Sequence, residues 1–187
     1  MNKTPDYLKD ANDLLSADGF TSNNVWYHGT SSALSASILQ SGLKRSGDKA
    51  MKQAAKKTMA TIGNNYTESI EPIFLTQSKE LAYYWAEQRV RERKVRFDCD
   101  ESIAIIEITL NETQNALVKP DVGAASLLLV KEGEAFLAYV AGIYQAAKLP
   151  VPEIDLMNAD RMEYLNKLGM AYYNSAIDTA SLKLLEP

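Results

Sequence analysis

An α+β fold is predicted, and three observations predict it. Short runs rich in β-branched and aromatic residues recur at 25–28, 73–76, 102–110, 170–174 and 182–185. Between them lie stretches with apolar residues at helical spacing, at 33–40, 78–94 and 132–147. The two kinds of segment follow one another with no internal repeat, low-complexity tract or linker. The 187 residues, 46% hydrophobic and 24% charged, therefore read as a single domain, 1–187, with a sizeable core.

Taken in order, Leu8, Ala11, Leu14 and Leu15 are spaced for a helix over 5–16, with Thr4 as N-cap and Pro5 in the first turn. Asp18-Gly19 ends it, so 1–24 reads as an N-terminal helical extension. Val25 to His28 is a short strand. Ser31 or Ser32 caps a helix over 33–40 with Leu34, Ile38 and Leu39 on one face, and Ser41-Gly42 closes it. Residues 44–71 are polar, basic and poor in large apolar groups, and form an insertion outside the core. Within it, 49–58 has helical propensity and Gly63-Asn64-Asn65 is a turn. Ile73-Phe74-Leu75-Thr76 ends a strand, and a long helix follows over 78–94. The run at 102–110 is apolar enough for a buried strand. A turn at 120–123 precedes an amphipathic helix, 132–147, which carries Phe136, Leu137, Tyr139, Val140 and Ile143. Leu149-Pro150-Val151-Pro152 interrupts the chain, a helix capped by Asn158 covers 158–167, and two strands close the sequence.

One cysteine, Cys99, excludes an intrachain disulfide and suits a reducing compartment; a small semi-buried side chain is the ordinary role for it. One histidine and one cysteine exclude a metal cluster other than a carboxylate site, and no metal is expected. No leader pattern or membrane-length apolar run is present, so a soluble, cytoplasmic protein with no membrane partner is expected. The net charge of −4 hides a segregation: residues 44–57 sum to +5 and residues 89–96 to +4, leaving −13 for the remainder. Such asymmetry marks a surface for an anionic partner, nucleic acid or acidic protein. Lys52, Lys56, Lys57, Arg89 and Arg93 are the candidate acceptor-binding residues. The plain alternative is two solvated faces.

The most informative stretch is Trp26-Tyr27-His28-Gly29-Thr30, followed twelve residues later by Ser41-Gly42-Leu43. His28 is the only histidine, Gly29 lets a backbone approach closely, and Thr30 adds a hydroxyl. About 45 residues on stand Phe74, Thr76 and the helix bearing Tyr83-Tyr84-Trp85. In order and spacing these pieces resemble the ADP-ribosyltransferases of the diphtheria-toxin and poly(ADP-ribose) polymerase type. The resemblance implies a split, mostly antiparallel sheet with flanking helices, and NAD+ as substrate. It implies that Tyr27, His28, Gly29, Thr30, Phe74, Thr76, Tyr84 and Trp85 contact the donor. His28 would bond the adenosine-side ribose, the Gly29 backbone the nicotinamide amide, and Tyr84 or Trp85 would stack on the nicotinamide. Core packing of an amphipathic helix is the competing account of these last aromatics. Phe74 stands where many members carry tyrosine.

The family's set is completed by a glutamate that opens the last-but-one strand. The closing pattern from Ile177-Asp178 to Leu182-Lys183-Leu184-Leu185 puts that slot on Ala171, ahead of Tyr172-Tyr173. Three readings follow. The register shifts and Glu163 is catalytic, the chain is a natural inactive relative, or a glutamate has been replaced by alanine here. Glu134 is a more distant candidate. The catalytic candidates are thus His28, Tyr84, Ala171 and Glu163. The function expected is mono-ADP-ribosyl transfer to a macromolecular acceptor, nucleic acid favoured. A toxin with a cognate antitoxin protein as partner is the analogous context. A protein-targeting transferase, an RNA 2′-phosphotransferase and a catalytically dead binding module are the alternatives.

Overall fold

The computed structural model describes residues 4–67, 69–155 and 158–186. Its strands are β1 (Leu15–Ser16), β2 (Gly19–Phe20), β3 (Val25–Ser31), β4 (Ile73–Leu75), β5 (Ile103–Thr109), β6 (Lys119–Pro120), β7 (Ala171–Tyr173) and β8 (Leu182–Leu185). The helices are α1 (Ala11–Leu14), α2 (Ser32–Ser41), α3 (Lys49–Thr61), α4 (Lys79–Phe97), α5 (Glu112–Asn115), α6 (Ala125–Leu128), α7 (Lys131–Ala146) and α8 (Arg161–Asn166). Every strand pairing among the described residues is antiparallel. The class is α+β.

Two three-stranded sheets form the centre, ordered β3-β5-β8 and β4-β7-β6, with β1-β2 as a separate hairpin. β5 lies in the middle of the first, which explains its composition: a central strand is covered on both faces. On one face Ile105 meets Leu8, Ala82, Tyr83 and Ala86. On the other, Ile106 and Ile108 join Trp26, Leu75, Ala171, Tyr173 and Ile177. A third apolar cluster lies between α4 and α7, around Leu81, Tyr84, Phe136, Val140 and Tyr144. Among the described residues no helix is long and apolar enough to cross a membrane.

The N-terminal segment departs from the expected helix over 5–16; its first three residues lie outside those described. It is broken into a 3-10 turn (Asp6–Leu8), the four-residue α1 and the β1-β2 hairpin. Thr4 caps nothing. Its hydroxyl pairs with the Tyr139 hydroxyl at 2.9 Å, which in turn donates to the Glu80 carbonyl. Tertiary contacts thus override a weak local propensity. Asp10 supplies the reason the segment stays attached. Its carboxylate accepts the Ser78 hydroxyl (2.6 Å) and the Lys79 amide (2.9 Å), and so adds to Ser78 in capping α4. A second correction concerns α8, which starts at Arg161 and is capped by Asp160, not Asn158, in a capping box with Glu163.

The basic insertion is ordered around α3, which Asp48 caps through the Met51 amide. No residue of α3 is buried. It is tied down by polar contacts instead, chiefly through Arg93 of α4. That guanidinium reaches Asp48 (2.7 Å) and Glu101 (2.6 and 3.0 Å), while Glu101 also accepts the Ser31 hydroxyl and the Cys99 thiol.

Helix α4 packs closely on β3. A Cβ at Gly29 would lie 2.0 Å from the Ala82 carbonyl oxygen and 2.8 Å from the Ala86 nitrogen. Gly29→Ala must therefore push α4 off the sheet, and its urea midpoint should fall by the equivalent of about 3 kcal/mol. Gly142→Ala is the counterpart: nothing lies within 4 Å of its Cβ direction, and it sits inside α7. That change should raise stability by roughly 0.5–1 kcal/mol.

Candidate functional site

The two central sheets touch through one backbone pair. The Tyr27 amide donates to the Thr76 carbonyl at 2.8 Å, and the Thr76 amide donates to the Tyr27 carbonyl at 3.0 Å. In an antiparallel ladder the next such exchange would join Gly29 to Phe74. It does not form. The Phe74 carbonyl is bonded instead to the His28 imidazole, Nδ1 to O at 2.8 Å. The sheets part at this point, and His28 stands at the parting.

Strand alternation fixes what is left open. The Leu110 amide bonds the Asn24 carbonyl and the Ser32 amide bonds the Ser102 carbonyl. Even-numbered residues of β3 therefore direct their backbone toward β5, and Tyr27 and Gly29 direct theirs toward β4. Past the Tyr27–Thr76 pair, the N–H and C=O of Gly29 lie on a strand edge that faces the split and is unpaired among the described residues. Gly29 has a double role: its missing side chain admits α4 on one face, and its edge offers one donor and one acceptor to a planar group.

His28 is half-buried. Burial pushes the imidazole below its ordinary pKa, the Phe74 carbonyl opposes this, and the Arg89 guanidinium lowers it further. A neutral ring at neutral pH follows. Arg89 is thus near the imidazole. It lies one and two turns beyond Ala86 and Ala82 on the stripe of α4 that faces β3, and pairs with Glu92 at 3.0 Å. Phe74 is 47% exposed at the same place.

The remaining expected site residues divide. Tyr27 contributes backbone; its ring packs beside Ala82 and Tyr83, and burial, Asp10 and Glu107 push its phenol up to about 12. Thr30 is buried, on the face of β3 that also carries Trp26 and His28, and the Thr76 side chain is buried beside Gly169, so neither hydroxyl is exposed. Tyr84 is enclosed between α4 and α7 against Trp85, Phe136 and Tyr139, which makes it a core residue and removes it from the stacking role. Trp85 packs on Phe136 but keeps partial exposure and sits one turn from both Ala82 and Arg89. Of the two aromatics it alone keeps partial exposure.

Neither carboxylate candidate fits. Ala171 is 1% exposed and lies in the apolar cluster with Leu75 and Tyr173, its registered neighbour being Leu75. Its Cβ faces the core. Glu163 is a helix cap, accepting the Asp160 amide at 3.2 Å and Lys167 at 2.7 Å. Those partners hold its carboxyl below the usual range. Glu134 lies on α7, exposed. Arg93, expected at the acceptor surface, is an interior ion-pair hub at 7% side-chain exposure. Lys52 donates to the Ser69 carbonyl at 2.8 Å, whereas Lys56 and Lys57 are exposed on α3. Among the described residues no group of three His, Cys, Asp or Glu side chains is placed to hold a metal. The bond from Cys99 to Glu101 raises its thiol pKa, and the thiol stays protonated.

The sequence reading missed Glu101 and Asp48. Their signal was present, since each is an acid beside a strongly basic run, but only the fold brings both to one arginine. It also missed the open edge of Gly29, which depends on a pairing between residues 27 and 76. Comparison with protein-family models, with curated proteins and with solved structures returns no match.

Two pH windows follow from the site. His28 has a folded pKa below 6.5, so the native state binds fewer protons than the unfolded state just below that value. Stability is full above pH 6.5 and falls as pH drops from there toward the folded pKa. Arg93 holds Glu101 down to about 2 from 4.5, so its contribution is full above 4.5 and is lost as pH falls toward 2. Urea midpoints measured across both windows should lose the first component in His28→Gln and the second in Glu101→Gln.

Proposed function

We propose that this protein binds NAD+ at the split between the two sheets and belongs among enzymes that transfer ADP-ribose to nucleic acid. The observation that carries the reading is the unpaired edge of Gly29 beside His28. A carboxamide offers one acceptor and one donor side by side, the complement of a strand edge's N–H and C=O. Trp85 would flank the nicotinamide, His28 would bond the ribose through Nε2, and Arg89 would offset the charge of the diphosphate. Transfer of ADP-ribose proceeds through an oxocarbenium-like transition state, so the work is alignment and charge stabilisation.

A second reading is favoured by one observation. The expected glutamate slot holds Ala171, packed in the core, and Glu163 is occupied as a cap. Without a carboxylate against the nicotinamide ribose, the chain binds donor and transfers slowly. Loss of such a group costs on the order of 10² to 10³ in rate.

Calorimetry with NAD+ and a nicotinamide-release assay test both readings together. NAD+ should bind, with nicotinamide released far more slowly than donor exchange. His28→Ala should weaken binding roughly tenfold, one hydrogen bond with its partner left unsatisfied. Trp85→Ala should weaken it by a similar factor, whereas Tyr84→Phe should leave affinity unchanged. Equal affinity in wild type and His28→Ala would remove the donor reading.

A further inference from the structure

We propose that the outer face of the β4-β7-β6 sheet is a stacking platform for unpaired bases of a single-stranded nucleic acid. The inference deepens the reading above by naming the acceptor, and rests on that reading only for the chemistry done next to the platform. Its basis is register. Phe74 of β4 is paired with Tyr172 of β7, and Tyr172 with Lys119 of β6. Residues directly opposite one another share a face, so these three side chains form one row across the sheet. The next row, Leu75, Ala171 and Pro120, faces the other way, and Leu75 and Ala171 lie in the core. The first row must face out. Phe74 is 47% exposed, Tyr172 is half-buried and Lys119 is exposed.

An exposed phenylalanine and a half-buried tyrosine side by side on a short sheet leave apolar area in water. Neither ring takes part in the aromatic contacts among the described residues, which gather around Tyr84 and Phe20. Adjacent strands are about 4.8 Å apart, so the two rings present a surface of base dimensions, with a cation at its far end. Every base has a π-face, and a flat row needs no groove. Charge completes the argument. Segment 69–71, which leads into β4, is tied to the start of the basic region by four bonds: from Lys52 and Ser46 to the Ser69 carbonyl, from Arg45 to the Ile70 carbonyl, and from the Glu71 amide to Ser46. The basic region is thereby held to the chain that enters β4, one edge strand of the sheet, and Lys119 lies on the other edge strand, so a phosphate backbone crossing the row meets cations on both sides. The His28 imidazole bonds the carbonyl of Phe74 itself, so a stacked base lies one residue from the split.

The test is fluorescence anisotropy with labelled oligodeoxythymidine, oligouridine of the same length and a duplex, with NAD+ calorimetry alongside. The wild type should bind either single strand more tightly than the duplex, whose bases are hidden. Tyr172→Leu should weaken single-strand binding about tenfold or more, and Tyr172→Phe should retain it. Lys119→Gln, an exposed change, should lower the slope of log K against log salt by about 0.7. Tyr172→Leu should bind NAD+ as wild type does, which also reports that it is folded. Single-strand binding that loses Tyr172 dependence, preference for the duplex, or binding of neither single strand overturns the platform. Failure of NAD+ binding with the Tyr172 pattern intact removes the donor reading and leaves the platform standing.

Discussion

Two backbone hydrogen bonds between Tyr27 and Thr76 decide the shape of this molecule. Among the described residues they join the two sheets at one residue pair and no further. Had the ladder continued, Gly29 would have been paired and the split closed. What stops it is visible in the side chains. His28 takes the Phe74 carbonyl, and α4 lies so close on Gly29 that the strand is fixed in position against the helix instead of drifting toward β4. The edge that results is partly exposed, so its N–H and C=O are left to water or to a bound group. Its exposure to the split is the feature on which the proposed donor reading rests.

Around that edge the fold separates three kinds of work. The α4–α7 layer, with Leu81, Tyr84 and Phe136, is apolar packing. The Arg93 hub is polar and interior, tying α3, the end of β3 and the start of β5 to one guanidinium. Removing one partner from such a buried set leaves an uncompensated charge and costs about 3–5 kcal/mol, which is why an arginine in a basic run turned out to be structural. The sheet face of Phe74 and Tyr172 does neither job. It remains exposed, beside the basic helix.

Much of the fold could be read from the chain. The strand at 102–110 and the helices after Ser31 and Ser78 depend on local patterns, an apolar run and a capping hydroxyl, and the structure keeps them close to their expected limits. The segment 5–16 could not be read, because Leu8, Leu14 and Leu15 mimic a helical stripe while Thr4 and Asp10 are claimed by Tyr139 and Ser78 from distant parts of the chain. The geometry of the candidate site was legible only in part. His28, Gly29 and Phe74 meet as their order suggested. The aromatics on α4 did not yield to spacing alone, since Tyr84 and Trp85 differ by one residue and a helix turns about 100° between them. Likewise, Ala171 and Tyr172 exchange faces with a single step of register, and only the pairing with Leu75 and Phe74 tells which one looks inward.

Helix α3 buries none of its thirteen residues and is held by polar contacts at its start and by the Arg96–Thr58 bond near its end. Its outward positions are therefore nearly free of packing constraint. Substitutions there change the sign and density of charge without passing through the stability of the core, so the surface can be retuned by single steps while the split and its open edge stay as they are. Evolution could in this way exchange one partner for another around an unchanged centre.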